Sequence, residues 1–518
     1  MYRLQLTDKG NPPYSIDRPE EFLSPKSIER RTKQGLSVDE TDLPIDRAYL
    51  DAVTAAGADI RTSSKWVNTL VVNIPDAEVQ SRVAALPFVK EMTKVWTGDL
   101  SLYEPVTTDS EEFRSANDEE PFSPGLYGDA LVQIQLNNAL PLHEKGYKGA
   151  GISIAVMDAG FSDVDKNPDY FNPDQILEVK NFSHQKGNPY RDSQGHGTYV
   201  LSCLLANRPF GMIGTAPEAD FYLFKTEVNG EEFPVEEDYW VAALEYADSL
   251  GVDIVSTSLG YSVFDDPEMN HTWEELDGYT VPASRAASMA ASKGMVLFHA
   301  AGNEGNKAWQ KATVPSDAKN MLTVGSVNRD SVWSAFSSWG YIADGRIKPD
   351  IMAVGEQTCL VDPAGNIITS RGTSFATPVL AGMGACLWGA LPHLTGLELM
   401  DLIKESSDRF THPDEYFGYG IPNIYAAYLK GLSVGSPVIH PEETGLLYVD
   451  SVLNRLYFKY YNSSNPSRLT IYSYEGKVMA ERNMLSHTTD LSFLPKGIYM
   501  ALVTSGGKYY VCKFVIRN

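Results

Sequence analysis

A chain of 518 residues with 43% hydrophobic and 21% charged side chains is too long for one hydrophobic core; about three folded domains are expected. Its formal net charge of −24 at pH 7 argues against nucleic acid or an anionic membrane surface as a partner. The four cysteines, Cys203, Cys359, Cys386 and Cys512, have neither CxxC nor other metal-ligand spacing, which excludes a disulfide scaffold and a thiolate metal site as organising principles.

Met1–Leu6 has no apolar stretch of the signal-peptide kind, so an exported protein is expected to have lost its signal before this sequence begins. From Tyr2 to about Val95 the chain reads as a compact α/β unit. A strand at Tyr2–Thr7 is followed by a basic helical insert at Ser24–Lys33 and a helix over Ile45–Ala56. Adjacent strands at Asp59–Trp66 and Val67–Ile74, a helix Ala77–Leu86 capped by Asp76, and a strand Phe88–Val95 complete a βαββαβ order. That is a ferredoxin-like pattern, which by itself hosts many functions. Between Thr97 and Gly128 eight acidic residues from Asp99 to Glu120 face only Arg114, with few apolar residues between them. Such a run cannot bury enough surface to fold and is expected to be an exposed linker, a passive tether or a site of processing.

Gly149 opens the largest domain. Near-continuous apolar runs at Ile152–Met157, Phe221–Phe224, Asp253–Ser256, Met295–His299 and Met321–Val324 predict parallel strands covered on both faces. Helical stretches lie between them at Thr198–Leu205, Glu237–Leu250 and Pro282–Lys293, so the domain is expected to be α/β with right-handed crossovers. The longest apolar run, Val379–Leu391, contains three glycines and is too short to span a bilayer; it reads as a core helix. After Leu432 the pattern changes to short strands, Thr444–Val449, Arg455–Tyr460, Arg468–Tyr474, Lys477–Glu481, Gly497–Thr504 and Lys508–Ile516, which predict a small β-sandwich. The expected division is 1–97, an acidic linker 98–128, an α/β domain 129–431 and a β-sandwich 432–518.

Four stretches of the α/β domain carry chemistry. Asp158, after Ala155-Val156-Met157, stands at the carboxyl end of a buried strand, where ligands of parallel sheets bind. His196 lies between two glycines at a helix start. Ser374, in Gly372-Thr373-Ser374, stands at the first turn of the core helix. Singly these are a turn aspartate, a structural histidine and an ordinary helix cap. Together they supply what serine attack on a carbonyl requires: a nucleophile, a base to take its proton, and a carboxylate to fix the tautomer of the base. Asn303, in Ala300-Ala301-Gly302-Asn303, offers a side-chain amide for the developing oxyanion, with the Ser374 backbone N–H as second donor.

With these motifs the segment from about Gly149 to Lys430 resembles the subtilisin-like serine proteases. The resemblance implies a parallel-sheet subtilisin-like catalytic domain and a secreted endopeptidase acting on proteins or peptides through Asp158, His196 and Ser374. It also implies a substrate cleft in which Ser258, Leu259 and Gly260 pair with the bound peptide, opposite a pocket wall formed by Ala300, Ala301 and Gly302. No cofactor is required by that chemistry and no metal ligand is assigned; calcium, common in the family, has no ligand set assignable from this sequence. Three positions depart from the family pattern. Ala159 replaces a serine or threonine after the aspartate, Tyr199 stands where many members have a second histidine, and Phe375 stands where many have a methionine. Phe375 leads to an expectation of peroxide resistance, since no thioether flanks the serine.

Residues 1–97 then resemble the family's propeptides, which dock on the catalytic domain as intramolecular inhibitors, so a zymogen is expected. The last domain resembles the C-terminal sorting domains of type IX secretion, through Leu469–Val478, Leu494–Tyr499 and the basic end Lys513–Asn518, which implies a secreted or cell-surface location. The contrasting expectation is a non-catalytic surface binding protein that keeps the fold.

Overall fold

The computed structural model describes residues 1–98, 122–193, 195–432, 447–450, 454–459, 461, 467–473, 477–505 and 508–516. The acidic linker expected at 98–128 falls largely outside the described residues, as do residues 444–446 of the first C-terminal strand. The chain divides into two compact units, Met1–Gly431 and Leu432–Asn518.

The first unit begins with β1 (Tyr2–Leu6), α1 (Pro25–Lys33), α2 (Arg47–Ala55), β2 (Asp59–Ser64), β3 (Thr69–Asn73), α3 (Ala77–Ala84) and β4 (Val89–Lys94). The antiparallel sheet has the order β2-β3-β1-β4, the ferredoxin-like arrangement. Leu4, Leu6, Leu70 and Val72 point to one face and meet Val53 of α2 and Val79 and Val83 of α3. Asp76 caps α3, accepting from the Val79 N–H at 2.8 Å. Helix α1 serves a different purpose. Its buried side chains are Ser27, Arg30 and Arg31, a polar set that no apolar core would accept.

Two short helices, α4 (Leu131–Leu136) and α5 (Leu140–Glu144), lead into β5 (Ser153–Asp158), β6 (Ile176–Asn181), α6 (His196–Leu205), β7 (Asp220–Lys225), α7 (Val235–Leu250), β8 (Ile254–Thr257), α8 (Pro282–Ala290), β9 (Val296–Ala300), β10 (Leu322–Val327) and β11 (Ile351–Val354). The seven strands form one parallel sheet in the order β11-β10-β9-β8-β5-β7-β6. The five apolar runs are its inner strands. The two edges, β6 and β11, are absent from the sequence expectation: β6 is mostly half-exposed with alternating polar residues, and β11 has only four residues after Pro349. A hairpin, β12 (Glu356–Val361) with β13 (Ile367–Arg371), leads directly into α9 (Thr373–Ala390).

Helix α9 starts six residues earlier than its apolar run and is buried from Thr373 to Trp388. Pro378 lies inside it and cannot donate to the Ser374 carbonyl one turn back. That carbonyl instead accepts from the Ser258 hydroxyl at 2.7 Å, so the interruption is satisfied from the sheet. Helices α10 (Gly396–Glu405) and α11 (Ile424–Gly431) close the unit.

The second unit contains β14 (Leu447–Asp450), β15 (Arg455–Phe458), β16 (Ser467–Ser473), β17 (Val478–Asn483), β18 (Thr488–Asp490), β19 (Gly497–Ser505) and β20 (Lys508–Ile516). Its antiparallel sheets, β14-β15-β18 and β17-β16-β19-β20, share a core that includes Leu456, Phe458, Leu469, Ile471, Val503 and Phe514. This is a β-sandwich, with alternation clearest along β19.

Candidate active site

Strands β5, β8 and β9 are hydrogen-bonded neighbours and end at the same edge of the sheet, where the functional side chains collect. Asp158 is the last residue of β5 and is fully buried. Its Oδ1 accepts from the Ala159 N–H at 2.8 Å and lies 2.8 Å from His196 Nδ1. Its Oδ2 is buried with no partner among the described residues. Ala159, standing where the resemblance leads one to expect a hydroxyl, supplies none.

His196 opens α6, and its ring packs against Phe375 with centroids 5.9 Å apart. Burial disfavours charging this imidazole, but the Asp158 carboxylate and, behind it, Glu227 outweigh burial and raise its pKa above the ordinary histidine value. Glu227 lies two residues beyond β7. It accepts from the Tyr261 hydroxyl at 2.7 Å and from Thr226 Oγ1 at 2.8 Å, and burial pushes its own carboxyl up to about 7. The sequence reading missed Glu227. Its one local signal is a glutamate just past a buried strand, and only the fold shows what it faces.

Ser374 is the second residue of α9, a position whose N–H has no intrahelical acceptor. Its Oγ donates to the Ser258 carbonyl at 3.3 Å. Asn303 sits on the loop after β9. Its Oδ1 accepts from the Thr373 N–H at 2.9 Å and from the Thr373 hydroxyl at 3.1 Å, which leaves the Nδ2 amide as its donor. Thr373 Oγ1 also accepts from the Gly302 N–H at 3.3 Å, so one threonine fixes both the wall segment and the amide. Thr373 was legible only as part of the serine motif.

Of the residues expected to line a cleft, Ser258 is buried, Leu259 half-buried and Gly260 exposed, while Ala300 and Ala301 are buried and Gly302 half-buried. The buried Lys225 donates to the Ala159 carbonyl at 2.8 Å and pairs with Asp192, bracing the turn that carries Asp158. All four cysteines are free, and Cys203 and Cys386 are buried in α6 and α9. Among the described residues, no group of three or more His, Cys, Asp or Glu side chains is placed to hold a metal ion.

Residues 149–420, more than half of the chain, match the model of the Subtilase family. The chain belongs to the subtilase family. Subtilisin E of Bacillus subtilis (strain 168) is 28% identical over 381 residues, covering 73% of this chain and 85% of that protein. Subtilisin of Bacillus pumilus is 30% identical over 290 residues, 55% of this chain and 94% of that one. This subtilase is accordingly a serine peptidase. Its residues 1–111 match the peptidase S8 propeptide domain of Bacteroidota, which reaches past the boundary expected at 97. Residues 452–517 match a secretion system C-terminal sorting domain, the mark of type IX secretion and surface attachment. Among the described residues, no helix of the subtilase is long and apolar enough to cross a membrane.

Proposed function

We propose that this subtilase is a secreted serine endopeptidase, made as a zymogen, that cleaves proteins or peptides through an acyl-enzyme. The observation that carries the reading is the 2.8 Å contact of Asp158 Oδ1 with His196 Nδ1, made beside the helix start that presents Ser374. In this reading Ser374 Oγ leaves the Ser258 carbonyl, passes its proton to His196 Nε2 and attacks the scissile carbonyl. Asp158 holds the Nδ1–H and stabilises the imidazolium. The oxyanion is held by Asn303 Nδ2 and the Ser374 N–H. His196 then protonates the leaving amine, and water repeats the sequence in reverse to free the acid.

Ser258, Leu259 and Gly260 form one side of the cleft in this reading, and Ala300, Ala301 and Gly302 the other. The inhibitory role of residues 1–97 is supported by how firmly they hold α7. Glu245 accepts from the backbone N–H groups of Lys65 and Trp66 at 2.9 Å each, and Arg3 Nε pairs with Asp238 at 2.6 Å. Trp96 Nε1 donates to Glu231 at 2.8 Å, at the point where the chain heads into the linker.

The test is covalent labelling with a fluorophosphonate together with N-terminal sequencing over time. Labelling at Ser374, lost in Ser374→Ala, and a new N-terminus within or near 98–128 are expected. A stable full-length chain with full activity would sink the zymogen reading. A purified, processed chain that never labels would leave the non-catalytic binding protein as the better account.

A further inference from the structure

Thr313 lies between the two segments that line the cleft in the proposed reading, against both Gly260 and Gly302. Its N–H donates to the Ala301 carbonyl at 3.2 Å, while Val314 exchanges hydrogen bonds with Tyr261 at 2.9 Å in both directions. The segment 313–314 is therefore tied to both walls by backbone and cannot swing out without breaking them. A Cβ placed on Gly260 would lie 2.0 Å from Thr313 Oγ1, and one placed on Gly302 would lie 3.0 Å from Thr313 Cγ2 and 3.1 Å from its Oγ1. The hydroxyl and methyl of this one threonine thus span the gap between the two glycines. Gly260 has to be glycine to admit it, while at Gly302 the positive φ of +104° and Ser338 Oγ, 2.9 Å from a Cβ placed there, also call for glycine.

The hydroxyl itself is unusual. Thr313 is 4% exposed, and its Oγ1 is buried without a hydrogen-bond partner among the described residues. Buried polar atoms are nearly always paired, so this hydroxyl is free to pair with a group that a ligand brings.

We propose that Thr313 is the specificity-determining residue of this subtilase, closing the pocket between Gly260 and Gly302 so that the enzyme cuts after small residues, alanine and serine. The inference rests on the peptidase reading above and sharpens it to a substrate class. An alanine side chain needs only the mouth of the pocket. A serine at the same place brings a hydroxyl that meets Thr313 Oγ1, pairing the orphan. Leucine or phenylalanine needs the volume that the threonine occupies, and the backbone ties prevent it from yielding.

The experiment uses the purified chain with active sites counted by fluorophosphonate titration. Peptide p-nitroanilides differing only at the residue before the cut (Ala, Ser, Leu or Phe) are compared by kcat/KM per titrated site. Alanine and serine should exceed leucine and phenylalanine by at least about tenfold. Thr313→Gly should raise the leucine and phenylalanine values by about the same factor. Thr313→Val keeps the bulk but removes the hydroxyl; it should preserve the preference for small residues while lowering serine relative to alanine. A labelled wild-type enzyme that cleaves after phenylalanine or leucine as well as after alanine overturns the inference and leaves the peptidase reading standing. A chain that neither labels nor cleaves any of the four overturns both. If Thr313→Gly does not fold, the wild-type profile alone decides.

Discussion

Ser258 and Ser374 are locked by two reciprocal hydrogen bonds: the Ser258 hydroxyl donates to the Ser374 carbonyl at 2.7 Å, and the Ser374 hydroxyl donates to the Ser258 carbonyl at 3.3 Å. The first of these exists because Pro378 has no N–H to offer that carbonyl. Ser258→Ala leaves it buried and unpaired, at a cost of about 1–3 kcal/mol. A lower midpoint of urea unfolding together with reduced kcat is expected; an unchanged midpoint would show that the proline gap is satisfied some other way.

Asn303→Leu keeps the bulk of the side chain and removes the amide. We expect kcat to fall by about 10²–10³ with KM little changed, the range known for loss of this donor in subtilisin itself. Thr373→Ala tests positioning instead. It removes the hydroxyl that binds Asn303 Oδ1 but leaves the Thr373 N–H in place. Its loss in kcat should be smaller and should largely disappear in the Asn303→Leu background, as a double-mutant cycle would measure.

In the proposed mechanism His196 must be neutral to act as a base, and its pKa is raised by Asp158 and Glu227 against the opposing effect of burial. Activity therefore falls as pH drops through a value above the ordinary histidine pKa of about 6.5. Glu227 carries its charge only above about pH 7, where it favours the imidazolium, so in Glu227→Gln the acid limb of kcat/KM should move modestly to lower pH. The same limb in wild type and variant would refute the electrostatic link.

Phe375 occupies the position beside Ser374 and touches the His196 ring. With no thioether there, mild peroxide should leave activity largely intact. Phe375→Met should lose it as the sulfoxide forms. Equal rates of loss in the two proteins would count against this account.

Asp248 of α7 receives Arg31 at 2.8 Å and also pairs with Arg30, all three side chains being buried. Burial pushes its carboxyl up, but the two guanidiniums outweigh burial and hold its pKa below the ordinary aspartate value. A depressed carboxylate pKa gives stability that is full above the unfolded value and is lost as pH falls through the folded one. Asp248→Ala should cost about 3–5 kcal/mol, because it leaves the buried Arg30 without a carboxylate, while Arg31 keeps Asp42 at 2.9 Å. The check is the unfolding midpoint of the full chain and the time at which peptidase activity appears, which should come sooner.

Much of this was legible in the sequence, for physical reasons. The five inner strands are covered on both faces and must be apolar throughout; β6 is mostly half-exposed and β11 very short, so neither leaves such a trace. The start of α9 at the serine motif was readable from Gly372-Thr373-Ser374 before an apolar run, although Thr373 to Pro378 mixes small and polar residues with a proline. Asp158, His196, Ser374 and Asn303 sit in short local motifs and could be picked out. Glu227, Thr373 and Thr313 could not, because each matters only through what the fold brings against it from distant parts of the chain. The same holds for α1. Its basic character was plain, but nothing local tells that Arg30 and Arg31 end beneath α7.

Three carboxylates along that one helix, Asp238, Glu245 and Asp248, find their partners in residues 3–66. Take the N-terminal segment away and the same helix becomes a stripe of uncompensated negative charge, newly hydrated. Re-association must then strip that water from both surfaces, while the long-range attraction that guides Arg3, Arg30 and Arg31 back is damped within about 10 Å at 0.1 M salt. In the proposed zymogen, ionic strength thus sets how fast the cover returns, more slowly in a salty medium than in a dilute one.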